Sequence, residues 1–166
     1  DKTDDYLLPG PHARYRLDSD PLVRAAFPQS VVRPSLEQLA PYVYLEDDDG
    51  DLKAEFGNPD LDPLESSNLD LGIERYMGRL GLMSAYLFYK DIKNYTYATD
   101  LAGTGDWAAY DEAATFANGD DASIYGLELA FSRKFGNFLT GANLTLRESE
   151  ATIDGLNGGD PRSRAL

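Results

Sequence analysis

Apolar and polar residues alternate with a period of two along most of this chain, and that alternation restricts its fold more than any other feature. In one segment Leu69, Leu71 and Ile73 occupy alternate positions. The acidic residues Asp70 and Glu74 occupy positions of the opposite parity. Because successive side chains of a β-strand point to opposite faces, this pattern predicts strands with one apolar and one polar face. On a helix the same residues would scatter charge around the whole circumference.

The alternation predicts six strands, and the 11 tyrosines and 7 phenylalanines fit that prediction because aromatic residues favour strands. The predicted strands are residues 8–18, 22–33, 67–77, 80–97, 123–134 and 138–149. Pro11 and Pro28 fall inside the first two strands, where each removes a ladder hydrogen bond. We therefore expect local bulges or edges there, or an unusual barrel.

Tight and long connections alternate between the predicted strands. The tight ones are residues 18–21, 78–79 and 135–137, and the long ones are residues 34–66, 98–122 and 150–162. Loops longer than about 12 to 15 residues are uncommon in compact domains. Outer-membrane barrels combine short periplasmic turns with long extracellular loops, and their strands need about 9 to 11 residues to cross the membrane.

This asymmetry of the connections predicts an all-β fold, an antiparallel up-and-down meander of about six strands that forms a segment of a transmembrane β-barrel with long extracellular loops at one end. The alternation by itself also fits a soluble sandwich, in which the apolar face points inward. The two arrangements differ in whether lipid or protein covers the apolar face.

Composition excludes several classes of function. The chain has no cysteine and a single histidine, His12, which leaves little material for a metal or triad site. Its net charge of -14 argues against binding of nucleic acid, which needs clustered Lys and Arg. The acidic run at residues 46–51 does not fit a calcium loop, because setting Gly50 at the sixth position puts Phe56 at the twelfth, where glutamate is required. We expect no metal and no cofactor.

Sixteen of the 29 acidic residues lie in residues 35–65 and 98–121, within two of the long connections. Such loops favour cationic ligands, or divalent ions that bridge to lipopolysaccharide. In the second loop Trp107 and Tyr110 lie beside Asp106 and Asp111, a common arrangement for binding sugars and equally one that packs a loop against its neighbour. The candidate ligand-binding residues are Trp107, Tyr110, Asp106, Asp111, Tyr42 and Tyr44.

The polar faces of the predicted strands supply candidate residues for the inside of a barrel: Asp70, Glu74, Glu128, Asn143 and Arg147. Asp70 and Glu74 are also a conceivable acid/base pair for glycoside hydrolysis. Residues four apart on a strand lie about 13 Å apart, however, which is too far for either glycosidase geometry. Five aromatic residues near predicted strand ends fit membrane-interface girdles or plain sheet packing: Tyr76, Tyr86, Phe88, Tyr95 and Tyr97.

Five segments, taken in order, resemble the TonB-dependent outer-membrane receptors, in the style of sphingomonad and Caulobacter proteins. The segments are residues 8–17, 23–41, 57–76, 85–94 and 125–128. The motif residues that carry the resemblance are Arg33, Pro34, Gly57, Asn58, Pro59, Gly126 and Glu128. The order of the segments corresponds to the C-terminal part of the receptor barrel.

The resemblance implies that residues 1–166 are part of a receptor barrel, with the plug domain and the C-terminal strands absent. Barrels of this class have about 22 strands around a plugged lumen, so six strands cannot close one. The intact protein is then expected in the bacterial outer membrane, in contact with lipid and lipopolysaccharide. It would take up a scarce small-molecule solute with energy from the TonB complex, reached through the plug, and would not be an enzyme.

The transported solute stays open between an iron chelate, a corrinoid and an oligosaccharide, and the style of the sequence slightly favours sugar. Two other classes of function remain as alternatives. One is a soluble carbohydrate-binding β-sandwich module, and the other is a β-sandwich glycoside hydrolase that uses loop carboxylates.

Overall fold

Two β-sheets make up the computed structural model, which describes residues 5–18, 20–78, 81–153 and 162–165. Its strands are β1 (His12–Arg16), β2 (Leu22–Ala26), β3 (Gln29–Val32), β4 (Val43–Asp48), β5 (Asp51–Phe56), β6 (Leu64–Tyr76), β7 (Gly81–Lys93), β8 (Thr96–Asp100), β9 (Glu112–Asn118), β10 (Asp121–Phe135), β11 (Phe138–Ile153) and β12 (Arg162–Ala165). A one-turn helix, α1 (Leu36–Leu39), and a 3₁₀ turn at Gly105–Trp107 complete the elements. Among the described residues, no helix has the length and apolar character needed to cross a membrane.

The larger sheet is an antiparallel meander. Its strands run in the order β1-β2-β6-β7-β10-β11-β12, and β3 continues β2 along the edge of β6. Strands that are neighbours in this sheet are also consecutive in the chain, once the four strands of the smaller sheet are left out of the order. The predicted up-and-down meander is therefore confirmed. The longest strands, β6, β7, β10 and β11, have 13 to 16 residues, enough to cross a bilayer at a tilt.

The register aligns the apolar side chains of four strands in rows. Leu71 lies opposite Leu87, Leu87 opposite Leu127, and Leu127 opposite Leu146. Glu128 follows Leu127 and so faces the other side of the sheet. The predicted division into an apolar and a polar face is thus confirmed, since a slip of one residue in any strand would have reversed its faces.

None of the described elements covers the apolar face of the larger sheet. Leu87 is 58% exposed and Leu146 is 55% exposed, although both lie in the middle of the sheet. A soluble sandwich would bury these side chains against a second sheet. Their exposure argues against the sandwich alternatives and fits a surface that lipid covers.

Aromatic residues mark both ends of this apolar face. Tyr89 and Tyr125 lie opposite each other towards the long connections, and Phe135 and Phe138 lie opposite each other at a tight turn. From Tyr125 to Phe135 the strand runs about 33 Å, which at a tilt of about 40° gives a band about 25 Å tall, the height of the apolar belt of outer-membrane barrels.

The girdle interpretation is wrong for three of the five aromatic residues named for it. Tyr86 and Phe88 have even positions on β7, between the apolar residues Ala85, Leu87 and Tyr89, and therefore lie on the polar face. Tyr76 shares that face, because its hydroxyl reaches the carboxylate of Glu74.

Of the alternatives expected for the prolines, the bulge is wrong at Pro28, and the edge is confirmed at Pro11, which directly precedes β1 at the edge of the described sheet. Ala26 pairs with Asp70 and Gln29 with Ser67, which is one continuous register across Pro28. The Pro28 carbonyl still accepts a hydrogen bond from the Asn68 amide at 3.0 Å. Each proline lacks only its own N–H, so the ladder loses one bond and keeps its alignment.

The first two long connections contain strands of their own, which the alternation did not predict. They form the smaller sheet, in the order β4-β5-β9-β8, with a parallel pair between β5 and β9. This sheet lies at one end of the larger one, beyond the start of β6 and the end of β7. The Tyr95 hydroxyl donates to the carbonyl of Thr152 at 2.7 Å, which brings the end of β11 to the same side. Residues 154–161 of the third long connection lie outside the described residues.

The assignment of the two faces predicts different effects for two adjacent substitutions in the protein folded in phospholipid. Leu144→Arg places a cation on the apolar face and should lower the free energy of unfolding in phospholipid by about 2 to 4 kcal/mol. Thr145→Arg, on the polar face, is the matched control and should cost less than about 1 kcal/mol. Urea unfolding in vesicles measures both, and equal costs would contradict the assignment.

Candidate functional site

The five residues predicted to face the inside of a barrel share one face of the larger sheet. Gly126 pairs with Phe88 on one side and with Arg147 on the other, and Phe88 pairs with Asp70, so Asp70 and Arg147 belong to one row. The neighbouring rows contain Glu128 and, towards the tight turns, Glu74 with Asn143. The sheet therefore brings together charged residues that are up to 77 positions apart in the sequence.

A groove of about 540 Å³ runs along this polar face. Its lining is Asp70, Tyr86, Phe88, Lys90, Ile124, Glu128, Thr145 and Arg147. Two carboxylates and two cationic groups balance in charge, so the groove presents hydrogen-bonding groups of both signs without a net field of one sign. Such a wall suits contact with a polar solute or with polar groups of another protein segment.

A saturated cluster around Glu74 closes the end of the polar face near the tight turns. The Arg24 Nε lies 3.0 Å from Glu74 Oε1, and the side chain of Glu74 is only 12% exposed. The Tyr76 hydroxyl donates to Oε2 at 3.0 Å, and the Tyr86 hydroxyl donates to Oε1. These three contacts link strands β2, β6 and β7 through the carboxylate of Glu74. Because they occupy most of its lone pairs, the carboxylate is poorly available as an acid/base catalyst.

Glycines on the polar face make room for aromatic rings on the neighbouring strand. A Cβ on Gly72 would overlap the ring of Tyr86, and one on Gly126 would lie 2.7 Å from the ring of Phe88. Each ring thus occupies space beside a glycine of the adjacent strand, a known way to fill a glycine site in a sheet, and at Gly126 a Cβ would also overlap the carbonyl oxygen of Leu146. The motif residue Gly126 therefore positions Phe88 in the groove.

The motif Gly57-Asn58 is the point where the two long connections are joined. A Cβ on Gly57 would overlap the carbonyl oxygen of Ala40 and lie 3.0 Å from that of Gln38. The Asn58 amide donates to the carbonyl of Gln38 at 2.7 Å, and its side-chain Nδ2 donates to the carbonyl of Phe116 at 2.9 Å. These bonds tie α1 and β9 to the segment that enters β6.

Three further motif residues flank this junction, whereas Glu128 lies in the groove. Arg33 and Pro34 follow β3 and lead into Ser35, whose side chain caps α1 by accepting from the Gln38 amide at 3.2 Å. Pro59 follows Asn58, whose Oδ1 accepts from the amide of Asp60 at 3.0 Å. Five of the seven motif residues thus lie at the start of the loops or at their return to the sheet, and the other two, Gly126 and Glu128, lie on β10.

The aromatic residues predicted to bind ligand are engaged in packing the smaller sheet. The ring of Trp107 stacks on Phe56 with 4.5 Å between centroids and 17° between planes. Tyr110 meets Trp107 edge-on at 5.0 Å. Asp111 accepts from the amide of Leu52 at 2.9 Å through Oδ2, and the neighbouring Asp106 is exposed. These ring contacts support loop packing, one of the two roles that the sequence left open for Trp107 and Tyr110.

Tyr42 and Tyr44 lie at the other edge of the smaller sheet. The Tyr42 hydroxyl donates to Glu55 Oε1 at 3.3 Å, and burial together with the negative charge of Glu55 raises the pKa of Tyr42. Tyr44 is 58% exposed. The contact of Tyr42 is thus with β5, whereas Trp107 and Tyr110 contact Phe56 and each other.

Asp100 is a structural carboxylate of the smaller sheet that the sequence did not single out. It accepts from the amides of Ala102 at 2.9 Å and Ala113 at 2.8 Å, and these two bonds lower its pKa. No motif marks this position. Four further residues were not predicted to lie on the polar face, although their even-numbered positions on β2 and β7 indicate it: Arg24, Tyr86, Phe88 and Lys90.

Groups of three or more His, Cys, Asp or Glu side chains close enough to hold a metal ion do not occur among the described residues. Within the acidic turn at residues 46–51, Asp47 Oδ1 accepts a hydrogen bond from the amide of Gly50 at 3.0 Å.

Comparison with known families settles which kind of sheet this is. Residues 1–165 match the family model described as "TonB dependent receptor-like, beta-barrel". The chain belongs to this family. None of the curated proteins matches the sequence closely enough to count as a relative.

Solved structures of receptors from Pseudomonas aeruginosa share the fold. The siderophore receptor PirA is 19% identical with a TM-score of 0.64, and the match covers 95% of this chain and 34% of PirA. A mutant of the ferric enterobactin receptor PfeA is 20% identical with a TM-score of 0.65, covering 90% of this chain and 26% of PfeA. The chain thus spans about a quarter to a third of the length of these receptors.

The junction at Gly57 predicts a defect confined to the loops. Gly57→Ala forces a Cβ against backbone carbonyl oxygens, and such overpacking costs about 1 to 3 kcal/mol. The smaller sheet should become susceptible to limited proteolysis while the larger sheet stays folded.

Gly141→Ala is the control for this substitution, because its Cβ would meet neighbours at 3.5 Å and beyond. Cleavage sites mapped by mass spectrometry should fall within residues 34–63 and 94–120 only for the Gly57 variant. Equal resistance of the two variants would contradict the assigned role of Gly57.

Proposed function

We propose that this chain is part of the barrel of an outer-membrane active transporter that takes up a scarce solute with energy from the TonB complex. The observation that carries the proposal is the division of one sheet into an exposed apolar face with aromatic borders and a polar, grooved face. Lipid is the partner that fits the first face, and the inside of a barrel fits the second. Membership of the receptor-barrel family supports the same assignment.

In this proposal the polar face carries the transport role. Asp70, Glu128 and Arg147 line the path of the solute or contact the plug domain of the intact protein, and Glu74 with Asn143 lies nearer the periplasm. The smaller sheet stands above the membrane, where its loops meet the solute first. The solute is an iron chelate, a corrinoid or an oligosaccharide, and coupling to TonB runs through the plug.

The placement in the membrane predicts which residues are accessible from outside the cell. This chain has no cysteine, so single cysteines introduced into it report on position once any thiols elsewhere in the receptor are changed to Ser. In intact cells, Asp48→Cys at the tip of β4 and β5 should react with a membrane-impermeant maleimide. Asn137→Cys, in the tight turn between β10 and β11, should react only after the outer membrane is permeabilised. Labelling of Asn137→Cys in intact cells would contradict the orientation.

Uptake measurements test the transport function itself. Deletion of the gene for the intact receptor should abolish high-affinity uptake of one labelled solute from a panel of ferric chelates, corrinoids and oligosaccharides, and deletion of TonB should have the same effect. In the receptor, the double change Asp70→Ala and Arg147→Ala should reduce uptake at least severalfold. Ser123→Ala, on the opposite face of the sheet, is the control and should leave uptake unchanged. Uptake that persists without TonB would overturn the proposal.

A further inference from the structure

Strand β4 leaves one edge of the smaller sheet open. It pairs with β5 on one side, and no other strand within the described residues pairs with it. All six of its residues are exposed. An open edge of this kind presents a row of unpaired backbone donors and acceptors, to which another extended chain can add.

The turn at the end of β4 determines which backbone groups point outward. Asp49 and Gly50 form a two-residue turn with φ of 53° and 101°, as in a type I′ hairpin. The closing pair of such a hairpin, Asp48 with Asp51, exchanges hydrogen bonds, and bonded pairs then alternate along the ladder. The N–H and C=O groups of Val43, Leu45 and Asp47 therefore point away from β5.

Hydrogen bonds on the far side of β5 support this assignment independently. Leu52 pairs with Asp47 across the hairpin. Its carbonyl accepts from the amide of Asp111 at 2.9 Å, and its own amide donates to Asp111 Oδ2 at 2.9 Å. Leu52 thus directs its backbone groups away from β4, as a residue of a non-bonded pair does, so Asp47 directs its groups to the open edge.

The side chains along this edge change character from one end to the other. Val43, Tyr44 and Leu45 are 56 to 58% exposed and apolar or aromatic. Residues 46–49, which follow, are all acidic. Charged side chains commonly protect exposed edges from unwanted pairing. Those of β4 are all acidic, so they disfavour addition of an acidic strand and favour a basic one. The edge therefore combines open hydrogen-bonding groups with apolar contact area and negative charge.

We propose that the open edge of β4 binds an extended basic segment of another polypeptide by strand addition. Backbone hydrogen bonds to Val43, Leu45 and Asp47 supply the pairing, as in other cases of strand addition. Lys or Arg side chains of the partner lie against the acidic residues 46–49, and its apolar residues lie against Val43–Leu45. A second copy of β4 is a poor partner, because it has no cation. Parallel addition would align acid with acid, and antiparallel addition would set the acids against apolar residues.

The inference rests on the proposed function only in locating this edge outside the cell. The pairing itself can be tested on the purified intact receptor in detergent, whether or not the receptor transports a solute. Failure of the uptake experiment and failure of peptide binding are therefore separate results.

The test uses fluorescent six-residue peptides and fluorescence anisotropy. One peptide has Lys or Arg at its first three positions and Val or Tyr at its last three, which matches antiparallel addition, and a second has the reverse order. One of the two should bind saturably, and its affinity should fall as salt is raised, because the charges are exposed and screened. A peptide of the same pattern with Glu in place of Lys and Arg should not bind.

Backbone pairing is separated from simple charge attraction by two changes. A peptide of identical side chains with N-methyl groups on alternate amides should lose at least about tenfold in affinity. Leu45→Pro removes an outward N–H while leaving the ladder to β5 in place, and should have a similar effect, whereas Leu45→Ala should not. The double change Asp47→Asn and Asp48→Asn should weaken binding more than Asp106→Asn, which removes an exposed acid elsewhere in the loops.

Two results would overturn the proposal. Equal affinities of the N-methylated peptide and its parent would show that the edge acts only as a nonspecific anionic surface. Failure of every peptide to bind the intact receptor, with the Asp48→Cys label still reacting from outside, would mean that another part of the receptor occupies the edge of β4.

Discussion

The antiparallel register of the larger sheet is the constraint on which the rest of the structure depends. Because Leu71, Leu87, Leu127 and Leu146 stand in one row, four strands present their apolar residues to the same side. The same register puts Asp70 and Arg147 on the other side and gathers the groove between them. Each strand contributes to both surfaces, so a shift of register in one strand would disrupt the apolar side and the polar side together.

The parts of the fold that repeat a short-range rule could be predicted from the sequence. Alternation placed β6, β10 and β11 within a few residues of their observed bounds and assigned Leu71 and Glu128 to opposite faces. The smaller sheet could not be predicted in this way. Its strands are short, β5 and β9 pair in parallel across more than 50 residues, and Asp100 and Asn58 hold them through hydrogen bonds to backbone groups that no sequence pattern specifies.

The charged residues of the candidate site could be predicted from the sequence, but the contacts that they make could not. Parity identified Glu74 as a polar-face residue, but its partners Arg24 and Tyr86 come from strands whose register only the folded sheet establishes. For Trp107 the sequence left ligand binding and loop packing open. The stack on Phe56 arises because the two loops form a sheet with a small core of its own.

The parallel pairing of β5 with β9 makes the first two long connections a single mechanical unit. The alignment of the two connections depends on both strands, because Lys53 pairs with Glu112 and Ala54 pairs with Ala113. Recombination that exchanges one of these loops between related receptors would separate a strand from its partner. Loops of this family that share such a sheet should therefore be inherited in pairs, and chimaeras intended to transfer recognition must carry both loops together.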